Sequence, residues 1–325
     1  KIAHAGDVIM SVRAPVGDIN ITKQELCMGR GICSLSSRDP DNLFLYYLLK
    51  FNASNLINNE TGSVFGSVNK DIIGSMQISL PDSQTRMKIG NILNTIDCCI
   101  ELNSRINDYL EVICMITYHD FFSDCERSGK LSDIGEIVGG STPSKSHPEY
   151  YSDSGIAWIT PKDLSVNKNK FIQHGKNDIT VDGLNNSSVK ILPRGTVLFS
   201  SRAPIGYIAI ASGDVTTNQG FKSIIPNNNI GSAFIYHYLK ENLDSIKSQA
   251  SGSTFMEISG SLMKNIEAIV PDEVSIKKFN TIINPLMKLQ EIIEQENIEL
   301  CSLRDNLLPK LLSGEIDVSN LDLGS

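Results

Sequence analysis

One long stretch of the chain occurs twice. RAPVG at residues 13–17 returns as RAPIG at 202–206, TGSVF at 61–65 returns as SGSTF at 251–255, and LPD at 80–82 returns as VPD at 270–272. The first pair is offset by 189 residues and the others by 190, so the alignment shifts by one residue between Gly31 and Phe44. This period is far longer than that of a solenoid repeat. The sequence therefore predicts two copies of one domain, each followed by a connecting helix.

The composition is that of an ordinary globular protein. Its 325 residues are 41% hydrophobic and 20% charged, which suits about two domains with cores of their own. No apolar run reaches the ~20 residues that cross a bilayer, and residues 1–10 do not resemble a signal peptide. The seven cysteines lack metal-ligand spacing, which favours free thiols over a disulfide framework or a zinc site. We therefore expect a cytoplasmic protein without a membrane partner.

The net charge of −8 comes from the connecting segments. Residues 1–80 carry seven basic and seven acidic side chains, and residues 130–270 carry thirteen and twelve. Residues 81–129 carry four basic against eight acidic side chains, and residues 271–325 carry five against ten. A near-neutral domain can still present a basic face, so the net charge does not exclude a nucleic-acid partner.

Each copy is predicted to be a mixed α/β domain. In the first copy, strands are expected at residues 7–12, 19–22 and 76–80 and a helix at 40–52. In the second copy, strands are expected at 155–160, 195–202 and 205–212 and a helix at 230–250. Lys1 aligns with Lys190, whereas the second copy begins near Lys130. The first copy is therefore expected to lack roughly sixty residues at its start.

A long helix with a heptad pattern follows each copy. The first is expected at residues 83–118, with a positions Ile89, Ile96, Asn103 and Leu110 and d positions Ile92, Cys99, Ile106 and Ile113. The second has a positions Phe279, Leu286, Ile293 and Leu300 and d positions Ile282, Leu289, Glu296 and Leu303. The pattern favours a coiled coil over single amphipathic helices packed on globular cores. The predicted pairing residues are Ile89, Ile96, Asn103, Leu110, Leu286, Ile293 and Leu300.

The chain contains no recognisable catalytic motif. There is no GxGxxG after a strand, no Walker A lysine loop, no HExxH and no Asn/Asp-Pro-Pro-aromatic tetrapeptide of amino-methylating enzymes. The five histidines lie in unrelated contexts without a paired nucleophile. We therefore expect a protein that is not an enzyme in its own right.

Several motifs together resemble one family. They are GGSTPS at 139–144, SSRAPIG at 200–206, TTNQG at 216–220, SGSTF at 251–255, IELNSRINDYLE at 100–111 and LLPKLLSGEI at 307–316. In this order they are similar to the specificity subunit of a type I DNA restriction–modification system. The resemblance implies two target-recognition domains, each reading half of a split site in double-stranded DNA, and two helices that pair antiparallel. It also implies docking of two methyltransferase subunits, joined by restriction–translocase subunits. It implies no cofactor here, because S-adenosylmethionine belongs to the methyltransferase.

The resemblance divides the chain into four parts. They are the C-terminal part of a first target-recognition domain (1–81), a central helix (82–128), a second target-recognition domain (129–271), and a distal helix with an acidic tail (272–325). Ile89 to Ile113 spans 25 residues, or about 36 Å of helix. One turn of DNA is about 34–36 Å, the usual spacing of half-sites. A helix pair of this length would suit a spacer between two recognition domains.

Candidate DNA-contacting residues fall into two groups. The stronger group is a basic, amide-rich segment of the second copy, since such side chains contact phosphates and base edges. It comprises Lys145, Lys162, Lys168, Asn169, Lys170, Gln173, His174 and Lys176. The repeated turns and loops add Arg13, Arg30, Arg202 and Gln219. Either arginine of the RAP turns could instead form a structural ion pair.

Three functions remain distinct at this point. The first is a non-catalytic DNA-recognition subunit. The second is a truncated specificity chain that acts mainly as an assembly scaffold for methyltransferase subunits. The third is an enzyme in its own right, for which the sequence offers no set of catalytic residues. The stronger DNA-contacting segment has no counterpart in the first copy, so we predict that the chain reads its second half-site and reads its first poorly or not at all.

Overall fold

A computed structural model describes residues 1–13, 15–58, 67–202, 204–252 and 256–322, with the backbone alone at 55, 57 and 58. The repeated motif at 61–65, residues 253–255 of its counterpart, and the alanines of both RAP turns lie outside the described residues. The chain forms two compact units, which consist of Lys1–Asn103 with Glu296–Ser325, and of Ser104–Gln295. Each unit contains one copy of the repeat.

The first copy has a small antiparallel sheet against one helix. Its elements are β1 (Ile2–Ala3), β2 (Val8–Ser11), β3 (Ile19–Ile21), β4 (Leu26–Cys27), β5 (Ile32–Leu35), α1 (Asn42–Asn58) and α2 (Lys70–Gly74). Strand β2 lies between β3 and β5. Val8 and Met10 of β2 are fully buried together with Leu49 of α1, because alternate residues of a strand face one side. The predicted strands at 7–12 and 19–22 and the helix at 40–52 are confirmed.

The long helix α3 (Ser83–Phe122) leads to the second copy, which is larger. Its strands are β6 (Gly129–Lys130), β7 (Gly135–Gly139), β8 (Tyr151–Ser152), β9 (Ile156–Ile159), β10 (Phe171–Ile172), β11 (Asn177–Ile179), β12 (Val197–Phe199), β13 (Ile208–Ala211), β14 (Thr216–Thr217), β15 (Lys222–Pro226) and β16 (Glu267–Ala268). Its helices are α4 (Leu131–Ile134), α5 (Pro161–Val166), α6 (Val181–Asn185), α7 (Ser232–Glu241), α8 (Leu243–Ser248) and α9 (Gly260–Asn265), with a 3₁₀ turn at Pro148–Tyr150. Helix α10 (Glu273–Ser313) follows.

Two main sheets build the second copy. Among the described residues, one has the order β10-β13-β12-β15-β7 and the other β14-β9-β11-β8. The first sheet packs on α7, where Phe234, Ile235 and Leu239 are fully buried. The mixed α/β fold class predicted from the sequence is therefore confirmed.

The duplication is preserved in the register of the strands. Val8 of β2 faces Ile21 of β3, and Val197 of β12 faces Ile210 of β13, each residue 189 positions after its counterpart. The two hairpins are thus the same structure, which confirms the repeat detected in the sequence.

The predicted strand at 76–80 is wrong. Its counterpart in the second copy is β16, which pairs with β6 at the start of that copy. The described residues of the first copy include no strand corresponding to β6. A strand needs a neighbour for its backbone hydrogen bonds, and residues 76–80 accordingly have no regular structure.

Helices α3 and α10 pair antiparallel within each unit. In the first unit, Asp97 meets Arg304 with Oδ1 and Nη1 2.6 Å apart, and the Asn103 amide donates to Glu296 at 3.1 Å. In the second unit, the Gln290 amide donates to the carbonyl oxygen of Asn107 at 3.2 Å. Rising numbers on one helix meet falling numbers on the other, so the expected antiparallel pairing is confirmed.

The packed face of α3 corrects the predicted heptad. Ile89, Ile96 and Leu110 are buried, and Leu93 and Cys114, four residues after an a position, are buried with them. On α10, Leu286 is half-buried, Ile293 is buried and Leu300 is half-buried. Of the predicted d positions, Ile92 is half-buried against the core of the first unit, and Glu296 accepts the Asn103 amide across the helix pair. The other predicted d positions are wrong, because Cys99, Ile106 and Ile113 of α3 and Ile282, Leu289 and Leu303 of α10 are exposed.

Candidate nucleic-acid interface

A cleft of about 520 Å³ opens beside strand β9 in the second copy. Helix α5 forms one wall, and the turn between β10 and β11 forms the other. The lining residues are Trp158, Thr160, Lys162, Asp163, Val166, Asn167, His174, Gly175, Lys176 and Asn177. Three residues from the predicted DNA-contacting segment, Lys162, His174 and Lys176, therefore share one cleft.

Asp163 fixes the geometry of this cleft. Its carboxylate accepts the backbone N–H of Thr160 at 2.8 Å, capping α5, and the backbone N–H of Lys176 at 2.9 Å. Gly175 lies so close that an added Cβ would be 2.8 Å from both the Asp163 carboxylate and the carbonyl oxygen of Trp158. A side chain at position 175 would push the two walls apart, so a glycine is required there.

The chemistry of the cleft suits a nucleic acid. Lys162 and Lys176 are exposed, and the His174 side chain is exposed with its Nδ1 3.5 Å from the Asp178 carboxylate. Ammonium groups neutralise phosphates, whereas amides such as that of Asn167 can pair with base edges. The arrangement combines both types of contact.

A second polar group adjoins the cleft. Gln219, on the loop after β14, is exposed and accepts a hydrogen bond from the Thr142 hydroxyl. Thr142 lies on the loop after β7. The Trp158 indole N–H donates to the carbonyl oxygen of Ser141 on the same loop at 3.1 Å, which joins that loop to the cleft floor. Lys145 is exposed on the same loop as Thr142. Gln219 thus lies near the cleft, whereas Lys145 lies three residues beyond Thr142 with no described contact to it.

The remaining members of the segment lie outside the cleft. Lys168 is exposed, with its Nζ 5.2 Å from the centre of the Tyr207 ring. Asn169 is half-buried and Gln173 is exposed. These residues flank the short strand β10 on either side.

The assignment of Lys170 to a DNA surface is wrong. Its side chain is 5% exposed, and its ammonium forms an ion pair with Glu111 of α3. It also donates to Gln290 Oε1 of α10 at 2.6 Å and lies 4.9 Å from the centre of the Tyr236 ring. A buried lysine needs such partners, because an unpaired buried charge is strongly unfavourable. Burial cannot be read from the composition of a polar segment, so the sequence did not separate Lys170 from its neighbours.

The arginines of the repeated turns differ between the copies. Arg202 lies 3.7 Å from Glu257, which also pairs with Lys222 at 3.4 Å. This contact favours the structural alternative for Arg202. Arg13 and Arg30 are exposed and line a groove of about 810 Å³ in the first unit, together with Lys1 and Lys70. The groove is basic on this side, since its lining includes no acidic residue among those described.

Sequence reasoning missed part of the cleft. Trp158, a buried residue of β9, also forms the cleft floor. Asn167, Asn177 and Thr142 were not singled out, although amide side chains on both flanks of a basic segment were a usable signal. No cluster of three or more His, Cys, Asp or Glu side chains that could hold a metal ion occurs in the described ranges. No helix of the described chain is long and apolar enough to cross a membrane.

Comparisons with known proteins identify relatives along most of the chain. The type I restriction enzyme MjaIX specificity subunit of Methanocaldococcus jannaschii is 41% identical over 180 residues, which cover 53% of this chain and 41% of that protein. The HindI specificity subunit of Haemophilus influenzae is 26% identical over 356 residues, covering 84% of this chain and 77% of that protein. The chain thus matches less than half the length of the MjaIX subunit.

A solved structure shares the fold. The crystal structure of a type I restriction-modification system S subunit from M. genitalium aligns with a TM-score of 0.62 at 18% identity, over 95% of this chain and 83% of that one. A sequence model of the family described as "Type I restriction modification DNA specificity domain" matches residues 1–112 and 124–301. The chain therefore belongs to the family of type I restriction–modification DNA specificity domains.

Proposed function

We propose that the chain is a non-catalytic subunit that recognises DNA through the cleft and loops of its second copy. The observation that carries this proposal is the convergence of Lys162, His174 and Lys176 on one cleft, with Gln219 on a loop that is hydrogen-bonded next to it. Family membership supports it, because specificity domains are the recognition components of restriction–modification enzymes. A DNA substrate also implies a cytoplasmic location and requires no cofactor on this chain.

In this mechanism the lysines position the duplex and the amides read it. Phosphate contacts fix register but carry no sequence information, whereas hydrogen bonds in the major groove distinguish base pairs. Asn167, Asn177 and Gln219 supply amides near exposed lysines. Because Asp163 and Gly175 hold the cleft walls, little ordering is required when DNA binds.

The test begins by mapping methylated adenines in DNA exposed to the assembled complex, which gives the recognised site. Gel-shift titrations over a range of salt concentrations then compare the parent chain with Lys162→Ala/Lys176→Ala. Each lost phosphate contact should reduce the slope of log affinity against log salt by about one. The matched control is Lys277→Ala/Lys278→Ala, which removes the same charge from exposed positions on α10.

The expected result is weaker, less salt-dependent binding for the cleft variant and parental binding for the control. Equal affinity and equal slope in all three proteins would place the DNA elsewhere.

We further propose that the outer faces of the long helices bind the methyltransferase subunits. Ile106 and Ile113, which the heptad pattern assigned to the helix seam, are exposed and form an apolar surface on α3 together with Tyr109, Val112 and Ile116. Exposed apolar patches commonly mark protein interfaces. Two methyltransferase subunits, with restriction–translocase subunits joining them, fit a chain with two such helices, and S-adenosylmethionine would bind to the methyltransferase.

Co-purification with the methyltransferase partner tests this surface. Ile113→Glu/Ile116→Glu should lose the partner while the chain stays folded, and Val181→Glu/Ile191→Glu, at exposed apolar positions outside the long helices, should retain it. Retention of the partner by the glutamate variant would refute the docking surface. If the partner binds but no DNA shift is seen under any salt condition, the scaffold alternative is favoured over DNA recognition.

A further inference from the structure

We propose that Lys170, Glu111 and Glu294 are positioning residues that lock the segment 167–177 onto the two long helices and thereby set its sequence readout. The inference rests on the proposed DNA contact of this segment. It concerns groups that do not themselves reach the surface where DNA would bind.

The side chain of Lys170 anchors the segment to both helices at once. Its ammonium pairs with Glu111 of α3 and donates to Gln290 of α10 at 2.6 Å. Burial alone would raise the pKa of the Glu111 carboxyl, but the Lys170 ammonium outweighs burial and holds that pKa below its usual value. The Glu111 side chain is therefore a carboxylate where it meets Lys170.

The backbone of the segment is held at the same point. The Glu294 carboxylate of α10 accepts the N–H of Lys170 at 2.8 Å and the N–H of Phe171 at 2.9 Å. Phe171 then begins β10, which pairs in parallel with β13. Two consecutive backbone donors on one carboxylate fix both the position and the direction of the chain.

The anchor lies in the middle of the DNA-reading segment. Lys168 precedes it and His174 and Lys176 follow it, the latter two lining the cleft. A displaced anchor would move all three side chains relative to the cleft floor without removing any of them.

The charged nature of this anchor favours a role in positioning. A buried ion pair contributes little net stability compared with apolar residues of the same size, because removing two charges from water offsets their attraction. It does, however, tolerate few geometries, since each donor needs its acceptor. An anchor of this kind specifies a location more than it adds stability.

The test uses the full chain assembled with its methyltransferase partner. Lys170→Met/Glu111→Gln removes both charges while keeping side-chain length. Glu294→Gln keeps one acceptor oxygen and replaces the other carboxylate oxygen with an NH₂ group, which cannot accept. The matched control is His119→Gln/Glu241→Gln, which removes a partly exposed polar pair between α3 and α7 of the second copy, with His119 Nδ1 and Glu241 Oε1 3.4 Å apart.

Competition gel shifts measure affinity for the recognised site and for DNA with a scrambled second half-site. The anchor variants should lose about tenfold of the preference for the correct half-site, the size of one base contact. The control should keep the parental preference. A parental preference in the anchor variants, or an equal loss in the control, would overturn the inference.

Amide hydrogen exchange gives an independent reading that needs no DNA. Protection of residues 170–176 should fall in Glu294→Gln while the rest of the second copy is unchanged, and unchanged protection there would also overturn the inference. If the parent chain itself shows no sequence preference, the proposed DNA recognition fails, and with it this inference. A loss confined to the anchor variants concerns the anchor alone.

Discussion

His237 shows how burial changes the chemistry of a residue that looks ordinary in the sequence. It is fully buried on α7, and its Nδ1 donates to the carbonyl oxygen of Ala233 at 2.8 Å. The ring stacks on Tyr118 with centroids 6.0 Å apart. Burial, aided by the nearby Lys170 ammonium, lowers the pKa of His237 to about 4. The imidazole is therefore neutral in the folded protein at neutral pH.

This pKa predicts a loss of stability in mild acid. Between the usual histidine pKa of about 6.5 and the folded value of about 4, the unfolded chain binds a proton that the folded chain does not. The free energy of unfolding should therefore fall as the pH drops through this window, by about 3 kcal/mol at most. Glu294, whose pKa burial raises, works in the opposite direction. Urea unfolding between pH 7 and pH 4 measures how steeply the free energy of unfolding depends on pH.

His237→Phe provides the control for this prediction. It keeps an aromatic ring against Tyr118 but cannot bind a proton. The free energy of unfolding should therefore fall less steeply with pH between about 6.5 and about 4. The same slope in both proteins would assign the pH dependence to other groups.

Gly206 ends the repeated turn, and its backbone conformation makes the stability of the second copy sensitive to substitution at this position. Its φ is +100°, a left-handed value, and an added Cβ would lie 2.7 Å from Leu243 Cδ1. Gly206→Ala should therefore destabilise the second copy by about 1–3 kcal/mol. The comparison is Gly213→Ala, where the nearest atom, Gln173 Cγ, is 3.6 Å from the new Cβ. Equal unfolding midpoints for the two variants would contradict the prediction.

At the scale of single residues, the sequence predicted the turn but not the anchor. Arg, Pro and Gly in RAPIG indicate a tight turn because their backbone preferences are local. The role of Lys170 depends on Glu111 and Gln290, which lie 59 residues before it and 120 after it. No local property of a lysine reports partners at such distances.

At the scale of elements, the sequence predicted that long helices are present and how long the first one is, but not which faces of the helices are packed against each other. The sequence predicts helix at 83–118, and the structure has Ser83–Phe122. The seam, however, contains polar residues such as Asn107, Gln290 and Asn297, while isoleucines such as Ile106 and Ile113 face outward. A hydrophobic pattern selects the most apolar face, and here part of that face is exposed.

The corrected seam makes a direct prediction for alanine substitutions. Leu110 is 8% exposed, so Leu110→Ala should cost about 2–5 kcal/mol of stability. Ile106 is 43% exposed and Ile113 is 47% exposed, so alanine at either position should change the free energy of unfolding by about 0.5 kcal/mol or less. Chemical denaturation of the three variants measures the difference. A large cost at Ile106 or Ile113 would restore the heptad read from the sequence.

At the scale of the whole molecule, the duplication is the feature that sequence alone predicts best. The hairpins of both copies agree residue by residue at a constant offset. The two copies differ in what surrounds this common scaffold. In the second copy, β7 pairs with β15 and β9 pairs with β14. The sequence reveals the shared scaffold because both copies encode it. In the part of the chain that the structure describes, the cleft is formed by residues of the second copy, so no repeated segment marks it in the sequence.

This difference predicts unequal reading of the two half-sites by the 325-residue chain. The cleft of the second copy combines lysines with His174, Asn167 and Asn177, whereas the groove of the first unit is lined by basic residues with Asn69 as its one described amide. A hydroxyl-radical footprint of the assembled complex should therefore show strong protection over one half of the recognised site and weak protection over the other. Equal protection of both halves would show that the groove lined by Arg13 and Arg30 reads DNA as well.

The antiparallel seam also has a consequence for synthesis on the ribosome. Asp97 and its partner Arg304 are 207 residues apart in the chain. At about 5–20 residues per second, α10 is synthesised roughly 10–40 s after α3. During this interval the face of Ile89, Leu93 and Ile96 has no α10 to cover it. The nascent first helix is therefore the segment for which transient protection by a chaperone would matter most.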